Sequence, residues 1–134
     1  MSRMLEIHEE HPDKLLHRAT TEVIIGAAFE VHHELGYGFL ERVYQRALQV
    51  ALIRRGVSAE IERRIQVQYK GAVVGDYDAD LVVDGCVVVE IKVNPQYDGR
   101  DEAQLLNELK ATGLKVGLLI NFGRTKVEYK RLVF

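Results

Sequence analysis

Asp80, Glu90 and Lys92 are the residues of this 134-residue chain whose types and spacing could do chemistry. They lie in "DLVVDGCVVVEIK", residues 80–92, where two Val-rich runs flank an Asp-Gly turn signal and read as a β-hairpin. Strand interiors disfavour Asp, and buried charge is costly unless it is paired or bound to a metal. Two neighbouring carboxylates repel, and a divalent ion between them removes that penalty. The donors suit Mg²⁺, with Mn²⁺ as a substitute, because Mg²⁺ takes one or two carboxylates and keeps waters elsewhere. Such an ion acidifies water into a nucleophile and neutralises charge developing on a phosphoryl oxygen. Lys92, a compact ammonium, could orient or help deprotonate the attacking water and stabilise a pentavalent phosphate. A strand-end ion pair between Lys92 and one acid, with the other acid solvated, is the competing reading of the same spacing.

The two acids can cooperate only on one face of the hairpin, so register decides. A two-residue Asp84-Gly85 loop would pair Asp80 with Val89 and send Glu90 to the opposite face. A three-residue loop, Val83-Asp84-Gly85 with Gly85 left-handed in a bulge, pairs Val82 with Cys86 and Asp80 with Val88. Glu90 is then the same-face diagonal neighbour of Asp80, and Lys92 lies next along that face.

The surrounding elements follow from periodicity. "LLHRATTEVIIGAAFEVHHELG" stacks Leu16, Val23, Ala27 and Val31 on one helical face, with Thr20 or Thr21 as cap and Gly36 as stop. "FLERVYQRALQVALIRRG" is a second helix, placing Leu40, Tyr44, Leu48, Val50 and Leu52 near one face. "EIERRIQVQYK" alternates through Ile61, Ile65, Val67 and Tyr69 as a half-buried strand and turns at Lys70-Gly71 into the hairpin. After the loop "NPQYDGR", a short helix is capped by Asp101 and stopped by Gly113. "KVGLLINF" then reads as a strand buried on both faces, and "KVEYKRLVF" as a closing basic strand. The order helix, helix, three strands, helix, two strands implies an α/β sandwich with a mixed sheet.

Length fits one domain, and the 47% apolar and 28% charged composition fits a folded chain. No apolar run approaches the ~20 residues of a membrane span, so no membrane role is expected. The acidic start "MSRMLEIHEEHPDK" lacks the apolar core of a signal peptide, and the lone Cys86 fits a reducing cytoplasm. A net charge of −2 conceals blocks. Residues 76–102 carry 8 acids and 2 bases, between residues 42–75 with 7 bases and 2 acids and residues 103–134 with 6 bases and 2 acids. Solvated faces explain such blocks, and so does a metal site acting on a polyanion.

Asp80 followed by Glu90-Ile91-Lys92 resembles the PD-(D/E)xK nuclease signature. Gly38-Phe39-Leu40-Glu41-Arg42-Val43-Tyr44 matches the motif of its small bacterial and archaeal GxxExxY group. "YKGAVVGDYDADLVV", "VVVEIK" and "EAQLLNELKATGLKVGLLINFG" follow in the order of that group. The resemblance implies a restriction-endonuclease-like αβββαβ core, with residues 1–20 as an extension and 21–134 as a single nuclease-like domain. It implies Asp80 and Glu90 as metal carboxylates, Lys92 as the catalytic lysine, Glu41 as the glutamate that completes or supports the metal site, and Gln104 as a catalytic-site glutamine on the next helix. The activity implied is Mg²⁺-dependent phosphodiester hydrolysis, with DNA ahead of RNA as partner. The alternative is a catalytically silent scaffold or interaction module that keeps the fold.

Two positions depart from the group. Glu108 stands where it has Tyr, and Asp101 where it has His; both are expected to add negative charge near a nucleic-acid path. Asp78 reads as a solvated strand acid or a residue supporting Asp80. His32-His33 favour the helix dipole over a metal, since no third ligand is spaced for them. Tyr37, between glycines, could stack on a base or fold back on the core. An apolar C-terminal strand could pair between chains and form a homodimer.

Overall fold

The computed structural model describes residues 16–134, so the acidic N-terminal segment lies outside the described residues. Helix α1 (Arg18–Leu35) and helix α2 (Glu41–Arg54) precede strands β1 (Ala59–Tyr69), β2 (Ala72–Val83) and β3 (Val87–Lys92). Helix α3 (Gly99–Thr112) and strands β4 (Val116–Asn121) and β5 (Glu128–Val133) complete the chain. The five strands form one sheet in the order β1-β2-β3-β4-β5. β3 and β4 are parallel and the other pairs antiparallel, as a crossover through α3 demands. The mixed, restriction-endonuclease-like α/β architecture expected from the sequence is the one observed.

Strand alternation assigns each helix its layer. Odd residues of the central strands, Leu81, Val83, Val87, Val89 and Ile91, pack against Ile24, Ala27, Tyr44, Leu48 and Leu52 of α1 and α2. Even residues Val82 and Val88 turn to Leu105 and Leu109 of α3 on the opposite face. Gly117 sets how closely α3 approaches: a Cβ there would lie 2.9 Å from Leu105 Cδ1. β4 is buried from Val116 to Ile120 between the two layers, as a central parallel strand should be.

Local differences from the sequence reading have physical causes. α1 begins at Arg18, and Thr21 is not its cap but sits inside it with its hydroxyl donating to the Arg18 carbonyl (3.0 Å). On α2 the inward face is Tyr44, Gln45, Leu48, Ala51 and Leu52, whereas Leu40 and Val50 point to solvent. The cap of α3 is Asp98, whose carboxylate accepts from the Arg100 N–H at 2.9 Å, and Asp101 falls in the first turn. In the hairpin, Val83 pairs with Val87 and Val82 with Val88, so the loop is Asp84-Gly85-Cys86, one residue later than expected. Asp84 and Gly85 both take left-handed φ (+52° and +66°), and the Cys86 N–H closes on the Val83 carbonyl at 3.0 Å. Asp84 is held there by Ser58, whose N–H and hydroxyl both donate to its carboxylate. The loop still has odd length, which fixes the facing of everything beyond it.

Candidate active site

The corrected register, carried one step past Leu81–Val89, sets Asp80 opposite Glu90, not diagonal to it, on the face that looks toward α3. There the ladder opens. The Asp80 N–H donates to Glu90 Oε2 (3.2 Å), the Ile91 N–H donates to Asp80 Oδ2 (2.7 Å), and the Asp80 carbonyl accepts from Gln45 Nε2 (3.0 Å). On the β1 side, pairing skips from Ile61–Leu81 to Arg63–Ala79, and the intervening Glu62 takes φ +55°, rare for a residue with a Cβ. Side chains have replaced backbone partners around Asp80, where the two carboxylates meet.

Burial loads this point with unfavourable charge. Glu90 is 4% exposed, and burial, the neighbouring Asp80 charge and a carboxyl–carboxyl hydrogen bond with Glu108 push its pKa up to about 10. Asp80 is raised by burial, against the opposing effects of the Ile91 N–H, Glu90 and Lys92. Burial also raises Glu41, which lies within electrostatic reach of Lys92, Asp80 and Asp101. Lys92 is mostly buried, with its ammonium 3.7 Å from Asp101 Oδ1.

Glu41 reaches this end of the sheet from the opposite layer because the loop before α2 is tied down. Gly38 takes φ +112°, which a Cβ would strain. The buried Tyr44 hydroxyl donates to the Gly36 carbonyl (2.6 Å) and accepts from the Phe39 N–H (3.3 Å). Its ring stacks on Phe122 with centroids 4.7 Å apart. Gln104 stands one contact further away: its Nε2 donates to Glu108 Oε2 (3.1 Å), and Glu108 in turn meets Glu90. It is placed to position Glu108 and Glu90.

Glu108 and Asp101, the two departures from the group's pattern, are both engaged within the fold. Glu108 is 0% exposed, raised by burial, and sits between Leu105 and Leu109 on the inward stripe of α3. That stripe is readable from the sequence, and it was the signal to bury Glu108. Asp101 pairs with Lys92 and accepts from Asn94 Nδ2 (2.8 Å). Gln45, which the sequence reading did not single out, is buried one helical turn after Glu41, and its position beside Tyr44 on the inward face was the only available clue. Asp78 is exposed, opposite Arg64 on β1. His32 stacks on Phe122 and hydrogen-bonds the Arg124 carbonyl (2.7 Å), and Tyr37 is 60% exposed.

Among the described residues, no three or more His, Cys, Asp or Glu side chains converge as a complete protein-built cage would require. The set nevertheless fits Mg²⁺. Asp80 and Glu90 supply two hard carboxylates, each with one oxygen outside the backbone hydrogen bonds given above, and the ion keeps its remaining positions for water. The proton that burial forces onto Glu90 marks a place where a cation would relieve charge.

Comparison with known proteins gives this geometry a setting. The chain resembles the solved structure of SSO0001 at 17% identity and a TM-score of 0.53, over 96% of this chain and 72% of that one, a likeness that shows the fold alone. It also aligns with an alkaline exonuclease (LHK-Exo) from Laribacter hongkongensis at 14% identity and a TM-score of 0.44, over 99% of this chain and 72% of that one. No curated protein matches. The sequence model of the PD-(D/E)XK nuclease superfamily matches residues 18–132, so this chain belongs to that superfamily.

Proposed function

We propose that this chain is a Mg²⁺-dependent nuclease of the GxxExxY group, hydrolysing phosphodiester bonds of nucleic acid, with DNA ahead of RNA. The observation that carries the reading is the opened ladder at Asp80. The buried Glu90, the half-buried Asp80 and Lys92 share one face there, and the two carboxylates accept strand N–H groups that backbone carbonyls would otherwise take. Asp80 and Glu90 would hold the ion, with Glu41 completing or supporting the site from α2. When bound, the ion would acidify water and offset charge on the phosphoryl oxygens.

The chain's own residues do the rest. Lys92 presents an ammonium to the attacking water and the scissile phosphate, and Asp101 holds it on the site side of α3. Glu108, fixed by Gln104, orients Glu90 from below. Gln45 keeps the Asp80 carbonyl satisfied so that its strand can stay open. The exposed bases Arg63, Arg64 and Lys70 on the β1–β2 hairpin would contact phosphates, and such binding weakens steeply with salt. A cytoplasmic location fits the single cysteine, and a homodimer through the β5 edge is the assembly we propose.

Isothermal titration with Mg²⁺, comparing wild type with Asp80→Ala, tests the site. Wild type is expected to bind with release of protons, and Asp80→Ala to show no binding heat. Equal binding by both proteins would remove Asp80 from the site.

A further inference from the structure

Beside Lys92, on the same face of the sheet as Asp80 and Glu90, lies a cavity of about 260 Å³. Leu119, next to Glu90 across the parallel β3–β4 pair, and Lys130 floor it. Tyr97, in the loop between β3 and α3, borders it with 64% of its surface exposed. That loop is pinned rather than loose. Asn94 N–H donates to Asn121 Oδ1 (2.9 Å), Asn121 Nδ2 donates back to the Asn94 carbonyl (2.9 Å), and Gly123 lies so close to Val93 that a Cβ would overlap its carbonyl group.

We infer that this cavity receives one unpaired nucleobase adjoining the phosphate that Lys92 contacts, with Tyr97 as its stacking surface. The inference rests on the nuclease reading and narrows its substrate to strands with an unpaired nucleotide at the cut, such as single strands, flaps and frayed ends. Size allows it: a cavity of ~150 Å³ holds benzene, so 260 Å³ has room for a larger heterocycle. Ion pairing selects a base over a second phosphate. Asp98, Asp101 and Glu128 line the cavity already engaged by Arg100, Lys92 and Arg124, and Lys130 is held by Glu102 (3.1 Å), so among the described residues the lining away from Lys92 offers an anion no free cation. A base still paired and stacked inside a duplex cannot enter, because entry requires it to leave the stack.

The test is a two-by-two comparison of affinity, read by fluorescence anisotropy on labelled single-stranded oligonucleotides in Ca²⁺ buffer. One base at a time is replaced by an abasic sugar, with wild type and Tyr97→Ala compared on each. In wild type, one position should cost roughly 5- to 150-fold in affinity when its base is removed, the range for a base stacked on an aromatic. Tyr97→Ala should lose a similar factor on the intact strand and lose little more at that abasic position, and Tyr97→Phe should restore wild-type behaviour. Tyr97 is an exposed loop residue, so these variants should keep the wild-type melting temperature. An abasic penalty of the same size in wild type and Tyr97→Ala overturns the base pocket and leaves the nuclease reading standing. No binding of any oligonucleotide overturns both.

Discussion

Replacing Glu90 by Gln should change how stability depends on pH, by an amount the site fixes. Glu90 holds its proton in the folded protein up to about pH 10, whereas the same carboxyl in the unfolded chain ionises near its ordinary value of 4.5. Between those limits the unfolded state binds one proton fewer than the folded state, so stability falls as pH rises. This contribution is complete below pH 4.5 and is lost as pH climbs toward 10. One proton corresponds to roughly 1 kcal/mol per pH unit, hence a loss of a few kcal/mol between pH 6 and pH 8. Glutamine mimics the protonated acid: it can still accept from the Asp80 N–H and donate toward Glu108, but it does not titrate. Burial is the largest cause raising Asp80 and Glu108, and the substitution leaves that burial in place. Urea melts of both proteins in EDTA at pH 6, 7 and 8 measure it, since a chain of this length is suited to two-state extrapolation. Wild type should lose stability more steeply than Glu90→Gln by roughly 1 kcal/mol per pH unit. Excess Mg²⁺ should flatten the wild-type slope, because the ion binds the ionised form, and leave the variant unchanged. Parallel lines in EDTA would refute the buried, protonated Glu90.

Gln45→Ala strands the Asp80 carbonyl without its donor, and chemical denaturation should show a loss of about 1–3 kcal/mol. Its Mg²⁺ affinity, followed by titration, should fall as well, since the Asp80 strand loses its tether. Gly117→Ala forces Leu105 off its seat and should lower stability by about 1–3 kcal/mol by the same denaturation, without changing the carboxylates.

Much of the architecture was legible because layer assignment rests on periodicities that burial imposes strongly. Val82 and Val88 had to face one way, and Leu81, Val83 and Val89 the other, wherever the hairpin turned. The turn itself was misplaced by one residue. Asp84, which carries a Cβ, adopts left-handed φ only because Ser58, remote in sequence, holds its carboxylate, and no local rule reveals that partner. The even–odd parity survived the slip, so Asp80 and Glu90 still share a face. Helix caps failed for a related reason. Asp98 and Asp101 are equally good caps by type, and Asp101 is instead drawn to Lys92. The least legible residue was Glu108. The sequence reading saw in it only an added negative charge near a nucleic-acid path, yet its place between two buried leucines carries it under Glu90, where Gln104 donates to its carboxylate.

Cleavage of end-labelled single-stranded, duplex and branched DNA and RNA by the purified protein with Mg²⁺ or Mn²⁺ tests the central claim most directly. Asp80→Ala and Lys92→Ala serve as controls. Wild type should cut at least one of these substrates, and EDTA should abolish cutting. Lys92→Ala should keep its Mg²⁺ binding yet lose most cleavage, and Asp80→Ala should lose both. A wild-type protein that binds the ion and cleaves none of these substrates, or a Lys92→Ala variant as active as wild type, would contradict the account and favour a silent scaffold on a nuclease fold.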